Sequence, residues 1–95
     1  MSELKLTIYT TNGCPNCERA KHMLDDWGVG YREVRIDGNR SGLVEMARVA
    51  RGARTVPQFA VGGLWIGGIS ELTQLYKTRG PAGLGADDSV DTVSE

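Results

Sequence analysis

The fold of the first part of this chain is decided by residues 8–17, which read IYTTNGCPNC. Apolar and polar residues alternate from Leu4 to Ile8, a pattern that predicts a strand ending near Tyr9. The Thr-Asn-Gly that follows favours a turn. Pro15 suits the first turn of a helix, because the N–H that proline lacks would be unpaired there. The sequence therefore predicts a strand that leads through a turn to two cysteines at the start of a helix.

The remaining residues predict three further strands and two further helices. Helical spacing of apolar residues predicts helices that end at Gly28 and at Gly52, and a last helix that starts near Ser70. Alternation over residues 34–36 predicts a second strand, and Gly62-Gly63 predicts a hairpin turn between antiparallel strands three and four. The order βαβαββα, with an apolar stripe on each helix, predicts an α/β fold in which helices cover a central four-stranded mixed sheet.

Length and composition predict one small domain followed by a tail. The chain has 95 residues, of which 40% are hydrophobic, enough for one modest core. Residues 1–80 contain all the predicted elements, whereas residues 81–95 are rich in Gly and Asp and lack periodicity. We interpret residues 81–95 as a flexible acidic C-terminal tail. The formal net charge of −1 gives no electrostatic reason to propose a nucleic-acid or membrane partner.

The expected cellular location follows from two kinds of segment that the sequence lacks. No stretch resembles a signal peptide, and none approaches the ~18 apolar residues that a membrane helix needs. We therefore expect a cytoplasmic monomer. In a reducing compartment, two cysteines spaced C-x-x-C are more often catalytic than structural, so the two thiols are the main functional clue.

The position of the cysteines indicates disulfide chemistry. Only a thiolate attacks a disulfide, so a redox enzyme needs an accessible cysteine with a lowered pKa. Cys14 is predicted at a helix N-terminus, where unpaired backbone N–H groups and the helix dipole favour the anion. We predict that Cys14 is the nucleophile. Cys17, one turn later and facing inward, is predicted to resolve the mixed disulfide formed on Cys14.

A metal site is the alternative interpretation of C-x-x-C. This motif supplies half of a four-ligand zinc site, but His22 is the only histidine and there is no third cysteine. We expect no metal and no tightly bound cofactor in one chain. Two chains could still share a metal or an iron–sulfur cluster, with two cysteines from each, so a bridged, non-catalytic adaptor stays open.

Four short motifs occur together in residues 4–79. They are Ile8-Tyr9-Thr10, Cys14-Pro15-Asn16-Cys17, Arg54-Thr55-Val56-Pro57-Gln58, and Gly67-Gly68 before an acidic helix start. In this combination they resemble the glutaredoxins of the dithiol type. The resemblance implies a thioredoxin-like fold in which Pro57 is a cis-proline facing the cysteines. It also implies a thiol-disulfide oxidoreductase that reduces protein disulfides and glutathione mixed disulfides, with glutathione as co-substrate.

The resemblance further implies a glutathione site. Thr55 and Val56 would present backbone groups to the cysteine of glutathione, and Arg54 could meet its glycine carboxylate. The γ-glutamyl carboxylate would lie at a helix N-terminus, which binds carboxylates through free N–H groups. The residues at this end are Gly68, Ile69, Ser70 and Glu71. Plain capping explains the same residues, with Ser70 as N-cap and Glu71 in the first turn.

Several side chains differ from the common glutaredoxin pattern. Thr11 stands where a basic residue is common, and Asn16 stands where an aromatic one is common; Ile69 and Glu71 also differ. These positions touch glutathione rather than the dithiol, so we expect glutathione to bind up to tenfold more weakly, about 1.4 kcal/mol. The alternative is a glutaredoxin-like redoxin that takes electrons from thioredoxin reductase and serves ribonucleotide reductase.

Overall fold

Seven elements follow one another in the predicted order in a computed structural model that describes residues 5–85. They are β1 (Leu6–Thr10), α1 (Pro15–Trp27), β2 (Arg32–Arg35), α2 (Arg40–Val49), β3 (Gln58–Val61), β4 (Leu64–Gly67) and α3 (Ile69–Gly83). The prediction of a βαβαββα order is confirmed. None of these three helices is long and apolar enough to cross a membrane.

The four strands form one mixed sheet in the order β2-β1-β3-β4. β1 is parallel to β2 and antiparallel to β3, and β3 is antiparallel to β4. A two-residue turn at Gly62 and Gly63, with φ of 59° and 84°, joins the paired residues Val61 and Leu64. Both φ values lie in the left-handed region that favours glycine, which explains why the predicted hairpin forms here.

Helices cover both faces of the sheet, so residues 5–85 form two apolar cores. Because side chains alternate along a strand, Leu6 and Ile8 of β1 point to one face and Tyr9 to the other. The core under α1 and α3 contains Leu6, Ile8, Ala20, Leu24, Val29, Phe59, Leu72 and Leu84. The core under α2 contains Tyr9, Val34, Met46, Ala50 and Ala60. The prediction of a central four-stranded sheet covered by helices is confirmed.

The chain does not become a tail at residue 81. Gly80 breaks the regular helix with φ 69° and ψ −164°, but Pro81 starts another turn that continues to Gly83. Leu84 then returns to the sheet and is fully buried in the core with Leu6. The expected boundary at residue 80 is therefore too early, because a single buried leucine after a Gly-Pro break has no periodicity to reveal it. The rest of the predicted tail, residues 86–95, lies outside the described residues.

Candidate active site

Three segments that the sequence singles out lie at one end of the sheet. β1 ends at Thr10 and leads towards Cys14, while the antiparallel pairing of Tyr9 with Gln58 puts the preceding Pro57 at the same end. β4 also ends there, and the start of α3 follows it. A Cβ built on Gly68 would lie 3.7 Å from the carbonyl oxygen of Pro57. Sheet register therefore brings Pro57 next to the start of α3.

The cysteine pair lies at the start of α1. Cys14 is the N-cap with an extended backbone, Pro15 follows it in the first turn, and Cys14 Sγ accepts a hydrogen bond from the Cys17 backbone N–H at 3.1 Å. The two cysteines form a disulfide, with their Cα atoms 5.2 Å apart. Cys14 is partly accessible, whereas Cys17 is buried. When the disulfide is opened, the sulfur that solvent reaches is thus also the sulfur that the helix start would stabilise as an anion.

The loop before Cys14 is attached to the second strand. The Asn12 backbone N–H donates to Asp37 Oδ1 at 3.2 Å, and Arg35 Nη1 donates to Asn12 Oδ1 at 3.0 Å. These bonds hold residues 11–13 against the end of β2. Sequence reasoning gave Asn12 only a turn role, because its partners are more than twenty residues away.

Residues 55–58 carry a second set of contacts. The Val56–Pro57 peptide bond is cis, and Pro57 is buried. Gln58 Nε2 donates to the carbonyl oxygen of Thr55 at 3.0 Å, and Gln58 Oε1 accepts from Trp65 Nε1 at 2.8 Å. Sequence reasoning assigned no role to Gln58. The available signal was a polar side chain in a short apolar strand, since such a group needs hydrogen-bond partners when it is buried.

The start of α3 differs from the capping that we predicted. Gly68 is the N-cap and the helix begins at Ile69, so the prediction of Ser70 as N-cap is wrong. The reason is the Glu71 side chain, which folds back so that Oε1 accepts from the Gly68 backbone N–H at 2.9 Å. Only glycine fits at Gly67, because its φ is 118° and a Cβ there would lie 2.7 Å from Glu71 Cγ. Glu71 therefore already puts a carboxylate at this helix end.

A groove of about 350 Å³ connects the hairpin with the start of α3. It is lined by Gln58, Trp65, Ile66, Gly67, Gly68 and Glu71. Arg54 is exposed, and none of the ion pairs within residues 5–85 includes it. Within the same residues, no group of three or more His, Cys, Asp or Glu side chains could hold a metal ion.

A larger groove lies elsewhere. It measures about 940 Å³ and is lined by residues of α2 and of the loop before it, including Asn39 and Arg48. It contains neither cysteine and none of the residues predicted to bind glutathione. Its size alone therefore does not connect it with disulfide chemistry.

Similarities to known proteins agree with this arrangement. The sequence model of the glutaredoxin family matches residues 6–66. A glutaredoxin of Pseudomonas aeruginosa is 43% identical over 72 residues, which cover 76% of this chain and 84% of the relative. Glutaredoxin 3 of Escherichia coli is 43% identical over 68 residues, which cover 72% and 81% of the two chains.

A solved structure shows the same fold. The crystal structure of a buckwheat glutaredoxin–glutathione complex matches with a TM-score of 0.69 at 26% identity, over 85% of this chain and 76% of that one. The predicted thioredoxin-like fold is thus confirmed. Family match, fold and the C-x-x-C pair at a helix start lead to one conclusion: the chain belongs to the glutaredoxin family and is a thiol-disulfide oxidoreductase.

Proposed function

We propose that this protein uses glutathione to reduce protein disulfides and glutathione mixed disulfides through Cys14 and Cys17. The observation that carries the proposal is the position of the partly accessible Cys14 at the same end of the sheet as residues 55–57 and the start of α3. Those two segments offer backbone groups to a peptide ligand at the same end of the sheet as the reacting sulfur. The glutathione complex of the buckwheat relative supports glutathione as that ligand.

The dithiol route through the reductive half-reaction uses both cysteines. The Cys14 thiolate attacks the glutathione sulfur of a mixed disulfide, and the protein sulfur leaves as a thiolate and takes up a proton. The Cys17 thiolate then attacks the sulfur of Cys14, and glutathione leaves as a thiolate. This second step forms the Cys14–Cys17 disulfide, which is the bonded state in the structure.

Two molecules of glutathione return the two electrons. The first attacks the sulfur of Cys14, which opens the disulfide, leaves glutathione bound to Cys14 and releases the Cys17 thiol. The second attacks the sulfur of that bound glutathione. Oxidised glutathione then leaves, and the Cys14 thiolate is restored.

The proposed glutathione site combines backbone groups with few side chains. Thr55 and Val56 would bind the cysteine of glutathione through the backbone, and the exposed Arg54 would meet its glycine carboxylate. The γ-glutamyl carboxylate would bind N–H groups at the start of α3. The residues at this end are Gly68, Ile69, Ser70 and Glu71.

One observation favours a second candidate function. The Glu71 carboxylate accepts from the Gly68 N–H, so a negative charge already lies where a γ-glutamyl carboxylate would bind. Repulsion at this point would weaken glutathione binding. The protein would then be a redoxin that is reduced by thioredoxin reductase and serves ribonucleotide reductase.

A comparison of two electron sources tests the proposal. The purified protein is given a glutathione mixed disulfide of a small thiol, either with glutathione, glutathione reductase and NADPH or with thioredoxin reductase and NADPH. We expect turnover with the first system and none in the matched Cys14→Ser control. Turnover with thioredoxin reductase alone would overturn the proposal in favour of the redoxin.

The same proposal includes a cytoplasmic monomer. A dithiol that must return to the reduced state suits a reducing compartment. The residues proposed for catalysis and binding all belong to one chain. Gel filtration and the absorbance above the tryptophan band test whether the protein is a monomer, because a cluster bridged between two chains would give a coloured dimer.

A further inference from the structure

We infer that Gln58 is a positioning residue that sets the direction of the Thr55–Val56 peptide group, and that Trp65 determines which way the Gln58 amide points. The inference rests on the proposed function, because this peptide group belongs to the loop proposed to bind glutathione. It adds two side chains, neither of which touches the reacting sulfur in the proposed mechanism.

Gln58 is a buried polar residue with partners on both sides. Only 6% of it is exposed, at the start of β3. Its Nε2 donates to the Thr55 carbonyl oxygen at 3.0 Å and lies 3.4 Å from Thr55 Oγ1, while its Oε1 accepts from Trp65 Nε1 at 2.8 Å. The side chain therefore links residue 55 to β4.

The chemistry of the two partners permits one orientation of the Gln58 amide. The indole N–H of Trp65 can only donate, and the carbonyl oxygen of Thr55 can only accept. Rotating the amide by 180° would place Gln58 Nε2 against Trp65 Nε1, so that two donors meet. It would also place Gln58 Oε1 against the Thr55 carbonyl oxygen, so that two acceptors meet. Because such groups are costly when they are buried and unpaired, Trp65 selects the orientation in which Gln58 donates to Thr55.

Peptide geometry carries the effect to Val56. Within residues 5–85 the cis peptide bond is Val56–Pro57, so the preceding Thr55–Val56 bond is trans. In a planar trans peptide the carbonyl and the N–H point in opposite directions, here the Thr55 carbonyl and the Val56 N–H. A hydrogen bond from Gln58 to the Thr55 oxygen thus directs the Val56 N–H away from Gln58. A donor whose direction is already fixed loses less conformational entropy when a ligand binds, so the entropic cost of binding is smaller.

Trp65 is also placed to connect the two halves of the proposed site. It is 39% exposed on β4, and both it and Gln58 line the groove that reaches Gly68 and Glu71. Its neighbour Leu64 is 71% exposed and does not line this groove. Leu64 therefore offers a matched control on the same strand.

The first experiment separates KM from kcat for a glutathione mixed disulfide of a small thiol. Gln58→Met keeps the length of the side chain and removes both hydrogen bonds, whereas Gln58→Glu can accept from Trp65 but cannot donate to Thr55. We expect each variant to raise KM about fivefold, equivalent to about 1 kcal/mol, with a much smaller change in kcat. Leu64→Ala should leave both constants unchanged.

A double-mutant cycle tests whether Trp65 acts through Gln58. Trp65→Phe keeps an aromatic ring and removes the N–H, so KM should rise about two- to threefold. In the Gln58→Met background the same change should add nothing, because the bond it breaks is already absent. If Trp65→Phe multiplies KM by the same factor in both backgrounds, Trp65 does not act through Gln58.

A second measurement does not depend on glutathione. We expect the NMR order parameter of the Val56 amide to fall in Gln58→Met and in Trp65→Phe and to stay at the wild-type value in Leu64→Ala. An unchanged order parameter at Val56 would overturn the inference, as would unchanged KM values in a protein whose wild type uses glutathione. Wild-type inactivity with glutathione would instead overturn the proposed function, and the order parameters would still decide the inference.

Discussion

The backbone N–H of Cys17 donates a hydrogen bond to the sulfur of Cys14 at 3.1 Å. Cys14 is the N-cap of α1, so its sulfur takes the role that a side-chain oxygen plays in most caps. An N–H that points at this sulfur stabilises a thiolate more than a thiol. The group that caps the helix is therefore also the one best placed to react.

Cys14→Ser should abolish disulfide reduction. Cys14 is the more accessible of the two cysteines in the sequence, and the other, Cys17, is too buried to attack a substrate disulfide. Serine is also a good N-cap, so the variant should keep the helix and the fold. The coupled glutathione assay measures the loss, with circular dichroism as the control for folding. Residual turnover above a few per cent, about the background of an unassisted reaction, would refute the assignment.

Cys17→Ser should have a different effect. Without the buried Cys17 thiol, glutathione stays on Cys14 until an external glutathione removes it. We expect a glutathione adduct in the mass spectrum and retained activity towards glutathione mixed disulfides, with loss of activity towards protein disulfides. If Cys17→Ser and Cys14→Ser lose activity towards mixed disulfides equally, the two cysteines do not have separate roles.

Leu84→Ala should lower the free energy of unfolding by about 2–5 kcal/mol, as expected for a leucine truncated inside a core. Leu84 is fully buried with Leu6, beyond the break at Gly80. Ending the chain at Gly80 should be at least as harmful, whereas a chain that ends at Gly85 keeps this contact. Thermal unfolding measures the effect, and the exposed Leu64→Ala is the control. A wild-type Tm in the chain ending at Gly80 would show that Leu84 does not contribute to the core.

Thr11→Lys combined with Asn16→Tyr should raise turnover with glutathione. The lysine adds a cation in the loop before Cys14, where Thr11 is half-buried, and the tyrosine at the exposed position 16 can cover the mixed disulfide. Turnover with thioredoxin reductase should not change. The exposed pair Thr78→Lys and His22→Tyr adds the same groups outside the site as a control. If wild type and the double variant both fail with glutathione, the redoxin alternative replaces the proposed function.

Glu33 should contribute a pH-dependent part of the stability. Burial raises its pKa, but hydrogen bonds from Thr10 Oγ1 at 2.8 Å and from Lys21 at 3.1 Å outweigh burial and lower the pKa below 4.5. A carboxylate with a lowered folded-state pKa stabilises the protein above its unfolded pKa, and this contribution is lost as the pH falls through the folded pKa.

The measurement is the Tm of wild type and Glu33→Gln between pH 7 and about pH 3, a range that spans the ordinary carboxyl pKa. We expect Glu33→Gln to lower the Tm at pH 7 and to reduce the fall in Tm below about pH 4.5. Glu18→Gln is a control, because Glu18 is an exposed partner of the same Lys21. Parallel Tm curves for wild type and Glu33→Gln would contradict this prediction.

Features that depend on near neighbours in the chain could be predicted from the sequence alone. The turn before Cys14, the helix start at Pro15 and the hairpin at Gly62-Gly63 each follow from local backbone preferences. The order of the elements and the C-x-x-C chemistry followed from such local patterns, and the combination of motifs identified the family.

Features that depend on distant partners appeared only with the tertiary structure. Gln58 reaches Trp65 because the register of β3 and β4 brings them together, and Leu84 is buried because the chain returns to the sheet after Gly80. Glu71 displaces Ser70 from the predicted N-cap by its reach to the Gly68 N–H. Periodicity and propensity describe residues a few positions apart, whereas these contacts depend on how the elements dock and pair, so only the folded chain decided them.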